Sequence, residues 1–304
     1  MGKRVAIVAG CRTPFARAGT FLQDFSALEL AKLATSELLQ KSGVPPKEVD
    51  QLVFGIVVPD VRAPNLAREV VLGTELPRAT EAFTVSRACT SSNQAIVSAA
   101  EAIGAGAIDV AIAGGTESLS NVPILASKPL ARALLAASKA KSLGSRLAAF
   151  SRLRLKDIAP VAPAIAEIST GLTMGQSAEK MAKENHISRE AQDLLALESH
   201  KNAAAATDDG RLTAEIVRAY APPDYQTSLG EDNGIRRDSS LEALAALPPA
   251  FDRRYGTLTA GNSSPLTDGA SAVLLMSEDK ASALGYRPLG FIRSYAFTAV
   301  DPFD

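Results

Sequence analysis

Cys89 stands in the segment Val85-Ser86-Arg87-Ala88-Cys89-Thr90-Ser91-Ser92-Asn93-Gln94-Ala95. An apolar run leads in, small polar residues follow, and residues 96–103 are alanine-rich with helical spacing. That order predicts strand, tight turn and helix, with the thiol at the turn. There it lies near the positive end of a helix, whose free N–H groups favour a thiolate. Such a thiolate is suited to accepting acyl groups. A lone cysteine is also a common small buried hydrophobe, and position alone leaves both readings open.

The other groups that could do chemistry are sparse. The second cysteine is Cys11, and the two histidines are His186 and His200. None has metal-ligand spacing, so the sequence predicts neither a metal site nor a disulfide framework, and a reducing compartment fits best.

The elements that must position Cys89 follow from periodicity and breakers. Residues 4–9 read as a first buried strand, stopped at Pro14, which fixes φ and lacks an N–H. Residues 26–42 read as a helix, with apolar Leu28, Ala31 and Leu38 and a glycine stop at Gly43. Residues 52–58 and 83–87 read as strands, 65–72 and 90–103 as helices, and 109–115 as a strand ending in a glycine turn at Gly114-Gly115. Strands alternating with helices predict an α/β fold with a mostly parallel, helix-covered sheet.

The bulk composition agrees. The chain has 304 residues, 46% of them hydrophobic, only 5% aromatic and none tryptophan, so Ala, Val, Leu and Ile must fill a substantial core. A net charge of −1 gives no argument for nucleic-acid binding. The apolar run after Met1-Gly2-Lys3-Arg4 is too short for a secretory signal, and no stretch has the length and apolarity of a membrane span.

Residues 118–156 contain no acidic side chain but hold Lys128, Arg132, Lys139, Lys141, Arg146, Arg152, Arg154 and Lys156, interleaved with leucine and alanine. They read as an inserted helical segment. Its basic face is either simply solvated or a surface for anionic lipid headgroups or a protein partner. Residues 177–206 are strongly helix-prone, with a helix start at Ser188. Residues 222–240 form a loop, 257–269 are rich in Gly, Asn, Ser and Thr, and 270–276 read as a strand. Residues 289–295 read as one more strand, able to close a sheet or to open a further domain.

Several motifs occur in chain order: Arg12-Thr13-Pro14-Phe15, the Cys89 turn, Ala113-Gly114-Gly115-Thr116-Glu117-Ser118, Met174-Gly175-Gln176-Ser177-Ala178-Glu179, Ile187-Ser188-Arg189-Glu190-Ala191-Gln192-Asp193 and Gly256-Thr257-Leu258-Thr259-Ala260-Gly261-Asn262-Ser263-Ser264 with Asp268-Gly269-Ala270 behind it. Together they resemble the thiolase family, the acetyl-CoA C-acyltransferases, over essentially the whole chain. Lys139-Ala140-Lys141-Ser142-Leu143-Gly144, Thr173-Met174 and Asp232-Asn233-Gly234-Ile235-Arg236 look most like the branch that supplies the β subunit of the fatty-acid oxidation complex, or trifunctional protein. The resemblance implies an α/β fold in which a thiolase-like N-terminal half, a helix-covered mixed sheet, carries an inserted loop domain. The core would span 1–120 plus 246–285, the CoA-binding loop domain 121–245, and 286–304 would be the opening strand of a C-terminal domain. Three further family motifs, an Asn- or His-Glu-Ala-Phe loop, a Gly-His-Pro loop and a Cys-x-Gly loop, do not occur in the sequence. On this reading the chain is a thiolase cut short.

The resemblance implies thiolytic cleavage of 3-ketoacyl-CoA by CoA in fatty-acid β-oxidation. Cys89 would be the acylated nucleophile and its backbone N–H half of an oxyanion hole. Ser264 would contact pantetheine, Met174 would line the thioester pocket, and Arg236 would meet the nucleotide end of CoA. CoA enters as substrate; no covalently bound cofactor and no metal are implied. Taken alone, Met174 is more simply a core residue and residues 261–264 a plain turn. His186 and His200 read as ordinary surface or helix-end histidines. With the absent motifs expected to supply the base and the second cysteine, the chain is expected to keep a reactive thiol but little turnover. The family also implies a homodimer or homotetramer, a hydratase–dehydrogenase α subunit as partner, peripheral membrane contact through 128–156, and a cytoplasmic location, mitochondrial in a eukaryote. The competing readings are a carrier-protein condensing enzyme, which also uses a turn cysteine, and a non-catalytic CoA-binding remnant or oligomer subunit.

Overall fold

A computed structural model of the chain describes residues 2–161 and 166–301; the parts of the expected segments at Met1, 162–165 and 302–304 lie outside the described residues. The first strand, β1 (Val5–Arg12), is followed by the two-residue β2 (Ala16–Arg17) and by α1 (Ala27–Ser42). Helix α1 starts where the sequence places it. The Ser26 hydroxyl accepts from the Glu29 N–H, the Glu29 carboxylate accepts from the Ser26 N–H, and Gly43 ends the helix at φ 66°. Next come β3 (Gln51–Gly55), α2 (Leu66–Leu72), β4 (Glu81–Val85), α3 (Ser91–Gly104) and β5 (Val110–Ser118).

The long excursion after β5 is mostly helical: α4 (Lys128–Lys139), α5 (Leu143–Ala148), α6 (Leu155–Ile158), α7 (Met174–Glu184), α8 (Arg189–Asp208) and α9 (Arg211–Glu215). The short β6 (Ala219–Tyr220) and β7 (Ser228–Leu229) then pair with each other, and α10 (Leu241–Ala245) follows. The helix-prone run 177–206 falls in two helices, in keeping with the helix start inside it. They are broken at His186, whose φ is 54°, and α8 starts on Ser188 as expected. The chain returns through β8 (Thr267–Ser277), α11 (Glu278–Ala283) and β9 (Gly290–Phe291).

The main sheet runs β4-β3-β5-β8-β1-β9, with β2 attached to β8. Strands β3, β4 and β5 are parallel, whereas β8 is antiparallel to both β5 and β1, and β9 to β1. The sheet is therefore mixed, not mostly parallel. Parallel neighbours need a crossover on the sheet face; β8 comes back from the excursion running the other way and needs none. The last segment pairs at Gly290–Phe291, with the Leu289 and Ile292 N–H groups donating to the Ile7 and Val5 carbonyls on the edge beside β1, instead of over the whole of 289–295.

Side chains alternate across the sheet. Leu52, Phe54, Ile112, Leu274 and Met276 pack under α1 and α2, against Leu30, Leu38 and Val70. Val53, Ala111, Ala113 and Leu275 face α3, against Ala95, Ala99 and Ile103. The α3 side is lined by small residues, and two glycines, Gly55 and Gly115, bring the helix closest to the sheet. A Cβ on Gly55 would lie 2.4 Å from the Ser91 carbonyl carbon, and one on Gly115 would lie 2.8 Å from Ser92 Cβ. On the opposite face, a Cβ on Gly114 would lie 2.2 Å from the Ser271 carbonyl oxygen and 3.0 Å from the Phe54 ring. The Gly114-Gly115 pair is thus strand interior, not the predicted turn, and β5 continues to Ser118. The bare backbone of β3 and β5 lets the first turn of α3 rest directly on the sheet.

Residues 257–264 form no strand or helix and are held by two buried carboxylates. Glu179 of α7 accepts from the Thr257 N–H at 2.7 Å and the Leu258 N–H at 3.1 Å. Asp193 of α8 pairs with Arg189 and accepts from the Asn262 amide at 2.9 Å. Helices α4 to α6 pack less deeply, and Ala133 is the buried residue of α4. Among the described residues no helix is long and apolar enough to cross a membrane.

Candidate functional site

Cys89 lies past the end of β4 and just ahead of α3, at the C-terminal ends of the parallel strands. Open α/β sheets characteristically bind ligands there. Ala88 holds φ at 44°, a left-handed conformation that costs a non-glycine residue about 1–2 kcal/mol. The turn is fixed from both sides. The Arg87 N–H donates to Ser91 Oγ at 2.8 Å, Ser91 Oγ donates to the Ala88 carbonyl at 2.6 Å, and the Thr90 N–H donates to the Arg87 carbonyl at 3.1 Å. This geometry turns Cys89 out to solvent, where it is exposed.

The thiol opens on a cavity of about 210 Å³ walled by Phe15, Ile56, Val57, Gly115 and Ser271. Glu117 is the carboxylate in that wall. Burial raises its pKa, an effect opposed by the N–H groups of Val57 and Val58, which donate to it at 2.9 and 3.3 Å. Neither histidine lines this cavity. Cys11 is elsewhere, buried in β1 with its S–H donating to the Ala34 carbonyl at 3.3 Å.

A second cavity, of about 540 Å³, is lined by Arg17, Gln192, His200, Arg236, Ser263 and Ser264 among others. The chain passes from Pro265 in its wall to Thr267 in the wall of the Cys89 cavity, so one loop joins the two. The structure thus brings Arg236 and Ser264 into one cavity and places Cys89 in the next. Met174 is not brought to either: it opens α7, half exposed, and the neighbouring Gly175 is pressed against the Phe251 ring. The expected thioester-pocket role for Met174 is therefore not supported by its position.

His200 departs from its reading as an ordinary histidine. Its Nδ1 accepts the Arg236 N–H at 3.2 Å, so it both faces the cavity and supports the arginine. A sequence signal existed: Gln192, Leu195, Ala196, Ser199 and His200 follow the spacing of one helical face, and all five line the cavity. Gln192 Oε1 and Ser263 Oγ are buried in this wall without a hydrogen-bond partner. Buried polar atoms are nearly always paired, so the orphaned hydroxyl and acceptor suit a polar ligand that brings a donor, and the two arginines lining the same cavity suit an anionic group on it. Among the described residues no cluster of His, Cys, Asp and Glu could hold a metal ion.

Residues 5–279 match the family model for the thiolase N-terminal domain. The chain is 55% identical over 300 residues to a 3-ketoacyl-CoA thiolase of Yersinia enterocolitica, covering 99% of this chain and 69% of that protein. Its fold is similar to the crystal structure of a Bacillus anthracis acetyl-CoA acetyltransferase, with TM-score 0.85 and 31% identity over 99% of this chain and 72% of that one. It is also similar to human mitochondrial 3-ketoacyl-CoA thiolase in complex with CoA, with TM-score 0.79 and 31% identity over 95% of this chain and 68% of that one.

Proposed function

The chain belongs to the thiolase family, and from that premise we propose that it transfers acyl groups through Cys89. The function is that of a 3-ketoacyl-CoA thiolase: 3-ketoacyl-CoA and CoA give acetyl-CoA and an acyl-CoA shortened by two carbons. Cys89 Sγ attacks the C3 carbonyl. The C2–C3 bond then breaks, its electron pair passing to C2 as an enolate that takes up a proton to become acetyl-CoA. The shortened acyl group stays on Sγ as a thioester. The thiolate of an incoming CoA attacks that carbonyl, and the bond to Cys89 Sγ breaks to release the product. Sulfur suits both steps because the thiolate is a strong nucleophile near neutral pH and a good leaving group. The amino end of α3 favours the negative charge that develops beside it.

The observation that supports this reading best is the exposed thiol at one cavity, with a larger cavity next along the chain at Pro265–Thr267. In the larger one, Arg236 and Arg17 would face the nucleotide phosphates and Ser264 the pantetheine arm. The arm would then pass Pro265 to reach Cys89. The division into a core of 1–120 plus 246–285, a loop domain of 121–245 and a further segment from 286 follows the same reading, since the loop domain would supply Arg236 and the core Ser264. A place in fatty-acid β-oxidation, a cytoplasmic location, a homodimer or homotetramer and an α-subunit partner belong to the proposal as well. So does contact of 128–156 with an anionic membrane surface: Leu135, Leu143, Leu147 and Leu155 are exposed among its lysines and arginines. Incubation of the purified chain with 3-ketoacyl-CoA and CoA tests the central reading. Acetyl-CoA should form, at the low rate expected of this chain, and should be lost in Cys89→Ala; equal product from that variant would refute it.

One observation favours a second reading, CoA binding without turnover. No imidazole lines the Cys89 cavity among the described residues, and positioned acid–base help is worth about 10²–10⁴-fold in rate. CoA binding with no acetyl-CoA above the uncatalysed level would select it.

A further inference from the structure

Two motifs that the reaction does not use directly are bonded to each other. Arg12 opens the Arg12-Thr13-Pro14-Phe15 loop, and its guanidinium forks onto Asp232 at 2.7 and 2.9 Å, while Nε donates to Glu215 at 2.7 Å. The Arg12 and Asp232 side chains are only 13% and 18% exposed. Asp232 Oδ1 also accepts the Phe15 N–H at 2.7 Å, and Asn233 Oδ1 accepts the Arg17 N–H at 2.7 Å. The Asn233 amide returns a bond to Thr20 Oγ1 at 2.9 Å.

The spacing has a physical logic. Alternate N–H groups of an extended segment point the same way. On one side β2 pairs with β8; on the other, the Phe15 and Arg17 N–H groups would be an open edge. Two consecutive side chains, Asp232 and Asn233, fill that edge as a neighbouring strand would. Each end of the arrangement then touches a different cavity. Phe15 lines the Cys89 cavity, with its ring pressed on Gly269 and the Arg12 guanidinium 5.0 Å from its centre. Gly234 and Arg236, just beyond Asn233, line the larger cavity together with Arg17.

We propose that Asp232, with Arg12 and Asn233, is a positioning latch that holds the nucleotide-end cavity in register with Cys89. The proposal rests on the CoA reading above. Asp232 touches no reacting atom. It fixes the distance that a molecule anchored at Arg236 must span to reach the thiol.

Two alkylating probes separate the latch from general stability. Iodoacetamide needs only the Cys89 thiolate, which displaces iodide. Chloroacetyl-CoA forms the same kind of C–S bond with loss of chloride, but must first be seated in the larger cavity. The ratio of the two labelling rates at Cys89 reports the register. In Asp232→Ala the ratio should fall about tenfold or more, since misplacement of about 1 Å can cost on the order of 10²-fold, while the iodoacetamide rate stays within about twofold. Asp232→Asn keeps an oxygen for the Phe15 N–H but loses the charged fork, and should fall in between; it also guards against failure of the alanine variant to fold. An unchanged ratio in Asp232→Ala, whether both rates hold or both fall together, would overturn the latch alone. If chloroacetyl-CoA labels the unaltered chain no faster than iodoacetamide and CoA gives no protection, the CoA reading falls and the latch with it.

Discussion

Cys11 lies in β1 beneath α1, 5% exposed, with its S–H tied to a carbonyl of that helix. Cys89 lies on a strained turn ahead of α3, exposed at a cavity. Burial pushes the Cys11 thiol from 9.0 up to about 11; nearby Lys41 lowers it and Glu37 raises it, both by less. The side chain is the same in both places. What differs is the backbone around it: a strand, irregular between Ile7 and Ala9, that lays Cys11 beneath α1, against a left-handed alanine that turns one residue outward. Reactivity in this fold is thus set by chain path, with the glycines of β3 and β5 setting the path.

The largest expected effect comes from exchanging the sulfur. Cys89→Ser should lower thiolysis by about 10³-fold or more, because a hydroxyl is far from ionised at neutral pH. Cys11→Ser should leave the rate within about twofold. An assay of acetyl-CoA release on both variants decides it, and similar losses would break the contrast between the two thiols.

The next effect tests the path itself. In Gly55→Ala the new Cβ would meet the Ser91 backbone, which no rotamer change can relieve. The variant should lose about 1–3 kcal/mol of stability, read by urea unfolding, and should slow Cys89 alkylation more than tenfold. Gly43→Ala, remote from α3 but at a left-handed φ of 66°, should lose about 1 kcal/mol without touching that rate.

Much of this arrangement is legible in the sequence, and the remainder is hidden for physical reasons. Local signals succeed: Ser26 and Glu29 mark the start of α1, Gly43 its end, and Ser188 the start of α8. The turn at Cys89 is also local and is found where expected. The Gly114-Gly115 pair misleads, because a glycine that permits a turn and a glycine that permits close approach look alike until the neighbour is known. The direction of β8 is hidden because it depends on where the chain returns after its excursion. The bond from Asp232 to Phe15 joins residues 217 positions apart, beyond any spacing rule.

Smaller effects sharpen the comparison. The Cys11 thiol holds its proton more tightly folded than unfolded, so its contribution to stability is complete below about pH 9 and declines as pH rises towards about 11. The loss should approach about 3 kcal/mol, and Cys11→Ala should flatten this alkaline slope in unfolding measured across that range. Smaller still, Arg87→Ala removes a guanidinium 4.1 Å from the centre of the Phe297 ring. It should cost about 0.5–1 kcal/mol in unfolding.

The central claim is that an acyl group comes to rest on one particular sulfur. Brief incubation with a 3-ketoacyl-CoA, acid quenching and peptide mass mapping read this directly. The peptide containing Cys89 should carry the mass of the shortened acyl chain, and the peptide containing Cys11 should be unmodified. Acyl mass on Cys11, or on neither cysteine while acetyl-CoA accumulates, would contradict the account.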